Sequence, residues 1–287
     1  MFFLLLILSC FYAQLFSGNA HDLESSLSVV FSDDFGYTLI GEKPVSVEQS
    51  LSWYLNINPE EKDCLFNFLK GEFDSSSKFI FKLLNRHGYM ELIHKESLLK
   101  QICKYEKLSS FIKKKYGSSS AFLKKLENPE VDVFDAVDSN SVLLAIVLGY
   151  GEENGTFFVR KCVVGDYLQK YPLISIYPFD GLPMTDKIVG WKPFFYTRLQ
   201  MVDRPKLLPQ FSTLEDEWLW IRQVEHKLYK EARPSPPYYI SLPTYIARHG
   251  PESDAIHYRF LKARDKLANL FCDRKFSEVI AEEAVKK

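Results

Sequence analysis

Seven consecutive apolar residues, VLLAIVL, run from Val142 to Leu148. A helix without a polar face must be surrounded by protein, so this run predicts a central core helix. It is far shorter than the ~20 residues that cross a bilayer, which favours burial in the fold over membrane insertion. Asp138 or Ser139 is the expected N-cap. We expect the helix to continue through Asn154.

Other segments place apolar residues every three or four positions, which is the spacing of an amphipathic helix. Pro59 follows the N-cap candidate Asn58 and marks one start, while Gly88 and Gly117 mark two ends. Helices are therefore predicted at Pro59 to Gly71, Ser75 to Gly88 with Phe79, Leu83 and Leu84 on the buried face, Lys95 to Tyr116, Ser119 to Leu126, Cys162 to Lys170, Thr213 to Glu231 and Pro251 to Phe271, with Ser277 capping a last turn or two.

A few short segments have the pattern of β-strands. Tyr37 to Ile40 is a β-branched and aromatic run that follows turn chemistry at Asp33 to Gly36, and Tyr89 to His94 alternates between two faces. The apolar patch Leu27 to Phe31 suits a strand or a first turn. These elements predict a helix-dominated α+β fold with a mostly α-helical core and a few short strands.

Proline separates the predicted elements in two places. Six prolines fall between Tyr171 and Pro209, and a second proline-rich connector runs from Arg233 to Pro243. Regular structure is disfavoured there, so we expect long segments that wrap around the domain. We therefore expect three parts: a signal at 1–20, a main helical or α+β domain at 21–210, and a C-terminal helical portion at 211–287 that packs on the main domain.

The first residues form a candidate export signal. Phe2 to Phe16 are almost wholly apolar, and Gly18 and Ala20 supply small residues before a cleavage site. We predict cleavage after Ala20, export to the periplasm, envelope or medium, and no transmembrane span in the mature chain. Two alternatives remain open: lipidation of Cys10 within a lipobox-like segment, and an uncleaved anchor helix.

Composition narrows the class of protein. Hydrophobic residues make up 46% of the chain, which excludes general disorder. The formal net charge of −1 argues against a dedicated nucleic-acid binder. Neither a metal nor a cofactor is expected, because no ligand spacing such as C-x-x-C or H-E-x-x-H is present. We expect buried free thiols at the four cysteines that follow the signal, while leaving disulfides open: Cys64, Cys103, Cys162 and Cys272.

The tripeptide Arg-His-Gly occurs twice, at Arg86-His87-Gly88 and at Arg248-His249-Gly250. Histidine phosphatases carry such a tripeptide, with the His as nucleophile and the Arg as phosphate ligand. His249 is followed by too few residues for the sheet of that family, so we favour histidines at helix ends. Gly149-Tyr150-Gly151 suggests a phosphate-binding loop. A predicted helix rather than a strand precedes it, so we interpret the two glycines as packing positions.

Lysine is concentrated between Lys95 and Lys125, a stretch that contains nine lysines and only two glutamates. Such a stretch suits docking on an anionic surface. It is also typical of a solvated helix face, and the acids between Glu127 and Asp138 can balance part of it. The basic patch that we single out consists of Lys113, Lys114, Lys115, Lys124 and Lys125.

Two stretches, YTLIGEKPVS at Tyr37 to Ser46 and LLAIVLGYGEEN at Leu143 to Asn154, resemble segments of an exported protein family of chlamydia-like intracellular bacteria. The resemblance implies a bacterial envelope setting and transfers no activity. With no coherent catalytic set of residues, the sequence indicates a non-enzymatic protein that binds a protein or envelope partner. The alternative is a phosphatase-like hydrolase that uses His249 with Arg248.

Overall fold

The computed structural model describes residues 23–48, 59–84, 89–168, 216–217, 219–221, 225–226, 240–243, 247–248 and 250–286. The helices are α1 Leu23–Phe31, α2 Asp34–Leu39, α3 Pro59–Asp74, α4 Lys95–Lys104, α5 Glu106–Tyr116, α6 Ser119–Leu126, α7 Val133–Ala136, α8 Ser141–Val147, α9 Glu152–Leu168, α10 Pro251–Phe271 and α11 Phe276–Val285. The strands are β1 Val45–Glu48, β2 Phe79–Leu84, β3 Tyr89–His94, β4 Glu225–His226 and β5 Ala247–Arg248.

An antiparallel sheet with the strand order β1-β3-β2 lies between two helical layers. Phe79, Phe81 and Leu83 face the first core, which is built mainly from α1, α2, α3, α10 and α11. Ile80 and Ile93 face the second core, which is built mainly from α4 to α8. Both faces of the sheet are therefore covered by helices. The described part is 68% helical, which confirms the helix-dominated α+β fold.

The first core joins the two ends of the described chain. Tyr37 of α2 is fully buried, its ring contacts Phe260 of α10 edge to face at 5.5 Å, and its hydroxyl donates to the carbonyl oxygen of Ser241 at 2.9 Å. The carboxylate of Glu24 in α1 accepts the backbone N–H of Phe276 at the start of α11. The N-terminal and C-terminal helices thus share one hydrophobic core.

A buried ion pair fixes the register of the sheet. Lys82 lies opposite Glu91, with 2.8 Å between Nζ and Oε2, and both side chains are at most 3% exposed. The pair also holds the segment that precedes α7, because Lys82 donates to the carbonyl oxygen of Val131 and Glu91 accepts the N–H of Val133. Burial raises the pKa of Glu91 although Lys82 opposes the shift.

Several predicted elements are confirmed. α6 and α10 have the predicted bounds, β3 matches the predicted strand at Tyr89 to His94, and α3 begins at Pro59. The apolar run at Val142 to Leu148 forms most of α8 and its C-cap in the second core, with Leu143, Ile146 and Val147 almost fully buried and Leu144 and Leu148 partly buried.

The predicted helix at Ser75 to Gly88 was wrong, because Phe79 to Leu84 form β2. The segment has apolar residues on both faces, and pairing with β3 decides between helix and strand. The predicted strand at Tyr37 to Ile40 was also wrong: residues 37–39 belong to α2 and Ile40 is its C-cap. Leu27 to Phe31 belong to α1 rather than to a strand.

Three predicted helices have different limits. Lys95 to Tyr116 is two helices, α4 and α5, interrupted at Tyr105, whose backbone is extended. Residues 162–168 of the predicted short helix at Cys162 to Lys170 belong to the longer α9, and its last two residues lie outside the described part of the chain. The predicted helix at Thr213 to Glu231 is contradicted at Glu225 and His226, which form β4.

The central helix also begins and ends elsewhere than predicted. Asn140 is its N-cap, with Oδ1 accepting the N–H groups of Val142 and Leu143, while Asp138 and Ser139 form the preceding turn with positive φ. Gly149 and Gly151 both have positive φ, so the helix does not continue through Asn154. Similarly, the last helix begins at Phe276, and Ser277 lies inside its first turn.

Candidate functional site

The predicted basic patch lies in the last turns of two neighbouring helices, α5 and α6. Four of its members are exposed and form no ion pair within the described part of the chain; we call them the α5–α6 lysines: Lys113, Lys114, Lys124 and Lys125. Negative charge at a helix C-terminus favours lysines in these positions. The arrangement therefore has a structural explanation as well as a functional one.

Other lysines of the stretch are neutralised by carboxylates. Lys115 Nζ lies 2.6 Å from Asp138 Oδ1, and Lys95 Nζ lies 3.0 Å from Glu127 Oε1. Lys107 approaches Glu152 at 3.6 Å. The acids after α6 thus balance part of the charge, and Lys115 is not a free member of the patch.

Two motifs that the sequence analysis considered separately meet in the structure. Residues 149–154 lie against Arg248 and residues 250–253, and we call this contact the motif junction. Asn154 Oδ1 accepts the N–H of Arg248 at 3.0 Å and the hydroxyl of Ser253 at 2.6 Å. Its amide nitrogen donates to the carbonyl oxygen of Tyr150 at 2.9 Å. Asn154 is only 1% exposed, and these bonds engage both ends of its amide.

The carboxylate of Glu252 is the second element of the motif junction. It accepts the backbone N–H groups of Glu152 at 3.2 Å and Glu153 at 2.7 Å, so it caps the N-terminus of α9. The hydroxyl of Tyr105 donates to the same carboxylate at 2.8 Å. Burial, together with the negative charge of Glu252, raises the pKa of Tyr105. All of these groups are held by one another, which makes the junction a structural joint between α9 and α10.

Arg248 was a catalytic candidate. Its guanidinium lies over the ring of Trp220, 5.6 Å from the centroid, and its backbone belongs to β5. His249, Arg86, His87 and the lipidation candidate Cys10 lie outside the described residues.

The prediction that a helix leads into the first tripeptide was wrong. Before the first one, the described backbone is strand β2, which ends at Leu84. The second begins with Arg248 at the end of β5, and Gly250 is the N-cap of α10. Residues 250–286 then form α10, a short turn and α11, without the strands that a histidine phosphatase sheet would need.

Sequence reasoning missed a charged cluster around Lys43, which is 1% exposed. Its ammonium forms an ion pair with Asp34 and donates to the hydroxyl of Tyr150 at 2.9 Å. Burial and the nearby carboxylates of Asp34 and Glu48 raise the pKa of Asp33 to about 8, although Lys43 opposes this. A carboxyl with such a pKa can hold a proton at neutral pH.

A cleft of about 390 Å³ opens between the end of β3 and the C-terminal half of α10. Its polar lining includes Lys78, His94, Lys266 and Asn269. Its apolar lining is supplied by α2 and α10. Nothing in the sequence marked it, since the lining residues are scattered over more than 200 positions.

Cys64, Cys103, Cys162 and Cys272 form no disulfide within the described part of the chain, and the expectation that they are buried was wrong. Cys64 and Cys103 are exposed, while Cys162 and Cys272 are half-buried. Cys64 lies beside the buried stripe of α3, which is formed by Leu65, Leu69 and Phe73.

Among the described residues, no three His, Cys, Asp or Glu side chains are grouped so that they could hold a metal ion. Within the same residues, none of the helices combines the length and apolar character that a membrane crossing requires. Comparison of the chain with protein-family models, with curated proteins and with solved structures finds no match.

Proposed function

We propose that the protein is exported and that it acts by binding rather than by catalysis, with the α5–α6 lysines contacting an anionic lipid surface of the envelope. The observation that carries this proposal is the exposure of four lysines without ion-pair partners in the described part of the chain. A lysine near an anionic leaflet contributes on the order of 1 kcal/mol. Four together are enough for reversible attachment.

The polar groups of the motif junction support a binding role over hydrolysis. Glu252 and Asn154 accept backbone N–H groups, and the hydroxyl of Ser253 donates to Asn154. Groups held in this way orient a joint and are poorly placed to accept protons from a substrate. The hydrolase alternative depends on His249, which lies outside the described residues.

Vesicle flotation tests the lipid proposal. We expect the protein to float with vesicles that contain phosphatidylglycerol, not with pure phosphatidylcholine vesicles, and to be released by 1 M salt because the screening length falls to ~3 Å. The combined variant Lys113→Gln, Lys124→Gln, Lys114→Gln and Lys125→Gln should bind roughly tenfold or more weakly.

A matched control removes the same charge elsewhere. Lys70, Lys262, Lys275 and Lys286 are also exposed, and the variant that replaces these four with Gln should bind nearly as well as the wild type. Equal loss in both variants, or no binding by the wild type, would contradict the proposal.

The export part of the proposal has its own test. N-terminal sequencing of the protein recovered from a bacterial host's periplasm or medium should give a start at His21. A lipid-modified start at Cys10 would replace the predicted cleavage by lipid anchoring. Retention of the intact chain in the cytosol would contradict export.

A screen against phosphatase and esterase substrates distinguishes binding from hydrolysis. We expect no turnover above background for either the wild type or the His249→Ala variant. Turnover that is lost in His249→Ala would reject the proposal in favour of the hydrolase alternative.

A further inference from the structure

We propose that the cleft between β3 and α10 binds a small organic anion, namely a carboxylate carried on a short apolar tail. This inference concerns a site separate from the α5–α6 lysines. It rests on three features of the cleft: its unpaired positive charge, a neutral imidazole that can donate a hydrogen bond, and an apolar wall.

The charge of the lining favours an anion. Lys78 and Lys266 both line the cleft, and neither forms an ion pair with a described carboxylate. Glu283 also lines the cleft, but its carboxylate is paired with Lys286. The lining therefore contains two unpaired ammonium groups and one carboxylate that already has a partner. A ligand carboxylate could form ion pairs with the two ammonium groups.

His94 adds a directional donor. Its Nδ1 accepts the backbone N–H of Ser97 at 3.1 Å, as the N-cap of α4. Burial lowers the pKa of His94 and so favours the neutral imidazole, in which the proton lies on Nε2 because Nδ1 accepts a hydrogen bond. The ring packs edge to face against Phe79, with centroids 5.0 Å apart. Asn269 supplies a further amide donor.

The remaining wall is apolar. Leu39, Ile40 and Leu270 line it, and they belong to or pack against the first core. The volume of about 390 Å³ falls within the range of about 300 to 1,000 Å³ that small-ligand pockets have. A ligand with one charged end and one apolar end matches both walls, whereas inorganic anions would leave the apolar wall in water.

Octanoate is a suitable probe, and octanamide is its neutral counterpart of the same length. In isothermal titration calorimetry with the full chain, we expect saturable binding of octanoate at one site and much weaker binding of octanamide. Lys78→Gln combined with Lys266→Gln should weaken octanoate binding about tenfold or more. Lys266→Arg should retain most of the affinity, because it keeps the charge.

Two controls separate this site from others. Lys262→Gln removes an exposed lysine of the same helix outside the cleft, and the variant that lacks the α5–α6 lysines leaves the cleft intact. Both should bind octanoate as the wild type does, so failure of the lipid proposal and failure of this one are distinguishable. Absence of saturable octanoate binding, equal binding of octanamide, or full affinity in the Lys78 and Lys266 double variant would overturn the inference.

Discussion

The carboxylate of Glu252 accepts the backbone N–H of Glu153 at 2.7 Å, across 99 positions of the sequence. One residue at the start of α10 thereby caps another helix, α9. Gly151, which precedes α9 with a φ of +85°, has no side chain. Its Cα can therefore lie close to the same carboxylate. The contact explains how the motif junction holds two distant segments together.

Removal of this cap should destabilise the protein. We expect Glu252→Ala to lower the free energy of unfolding by about 2 kcal/mol, because α9 loses its cap and the Tyr105 hydroxyl loses its acceptor. Asp254→Ala removes an exposed acid from the same first turn of α10 and should lower it by only about 0.3 to 1 kcal/mol. Urea unfolding followed by circular dichroism measures both. Equal losses would show that only the charge at the start of α10 matters.

Two glycines should respond in opposite directions to alanine. At Gly151 a Cβ would lie 2.6 Å from the Glu252 carboxylate and the φ is positive, so Gly151→Ala should lower the free energy of unfolding by about 2 to 3 kcal/mol. Gly71 lies in α3 with nothing within 4 Å of such a Cβ, and Gly71→Ala should raise it by about 0.5 to 1 kcal/mol. Thermal and urea unfolding test the contrast, and a loss at Gly71 would contradict it.

Removal of one partner of the Lys82–Glu91 pair should strongly destabilise the protein. Lys82→Met leaves a buried carboxylate without its cation and should lower the free energy of unfolding by about 3 to 5 kcal/mol. Adding Glu91→Gln removes that charge but keeps an acceptor for the N–H of Val133, so the double variant should be more stable than Lys82→Met alone.

The exposed pair Lys70–Asp74 provides the contrast for this experiment. Its side chains are 67% and 53% exposed, and Lys70→Met should change the free energy of unfolding by less than about 0.5 kcal/mol. A double variant of the buried pair that is no more stable than Lys82→Met would show that the lost packing of Lys82, rather than the stranded charge, dominates.

Asp33 should make stability depend on pH. Its pKa in the folded protein is about 8 against an ordinary value of 3.8, so between these values the folded state retains a proton that the unfolded state releases. The contribution of Asp33 to stability is therefore present below pH 3.8 and is lost as the pH rises through about 8. Compared with the wild type, Asp33→Asn should gain stability at pH 9 relative to pH 5.

Urea midpoints at the two pH values measure this difference. The exposed substitution Asp63→Asn on α3 is the control and should follow the wild type. An Asp33→Asn variant with the same pH dependence as the wild type would rule out a retained proton on Asp33.

Local signals allowed some elements to be predicted from the sequence. Ser119 to Leu126 has a serine before it and a glycine two residues before it, and Ser118 Oγ does cap the helix by accepting the N–H of Ala121. Pro251 at the first position likewise marks the start of α10. The apolar run at Val142 to Leu148 could be assigned to a core because it has no polar face, although only Val142, Leu143, Ile146 and Val147 are fully buried.

Strand β2, the cleft and the pairing of the lysines could not be predicted in this way. Phe79 to Leu84 are apolar on both faces, so helix and strand fit the pattern equally, and the choice depends on pairing with β3. The cleft joins Lys78 and Lys266, which are far apart in the sequence. The number of lysines in the basic stretch was evident, but which of them remain unpaired depends on where Glu127 and Asp138 lie.

The sequence by itself determined where α6 and α10 begin and that the run at Val142 to Leu148 packs into a core, because caps, prolines and apolar spacing act within a turn or two of the chain. Only the tertiary structure decided that Glu252 caps α9, that Lys82 faces Glu91 and that Lys78 and Lys266 share a cleft. These contacts depend on how whole helices and strands pack, and that packing is set by burial summed over the entire core rather than by any single segment.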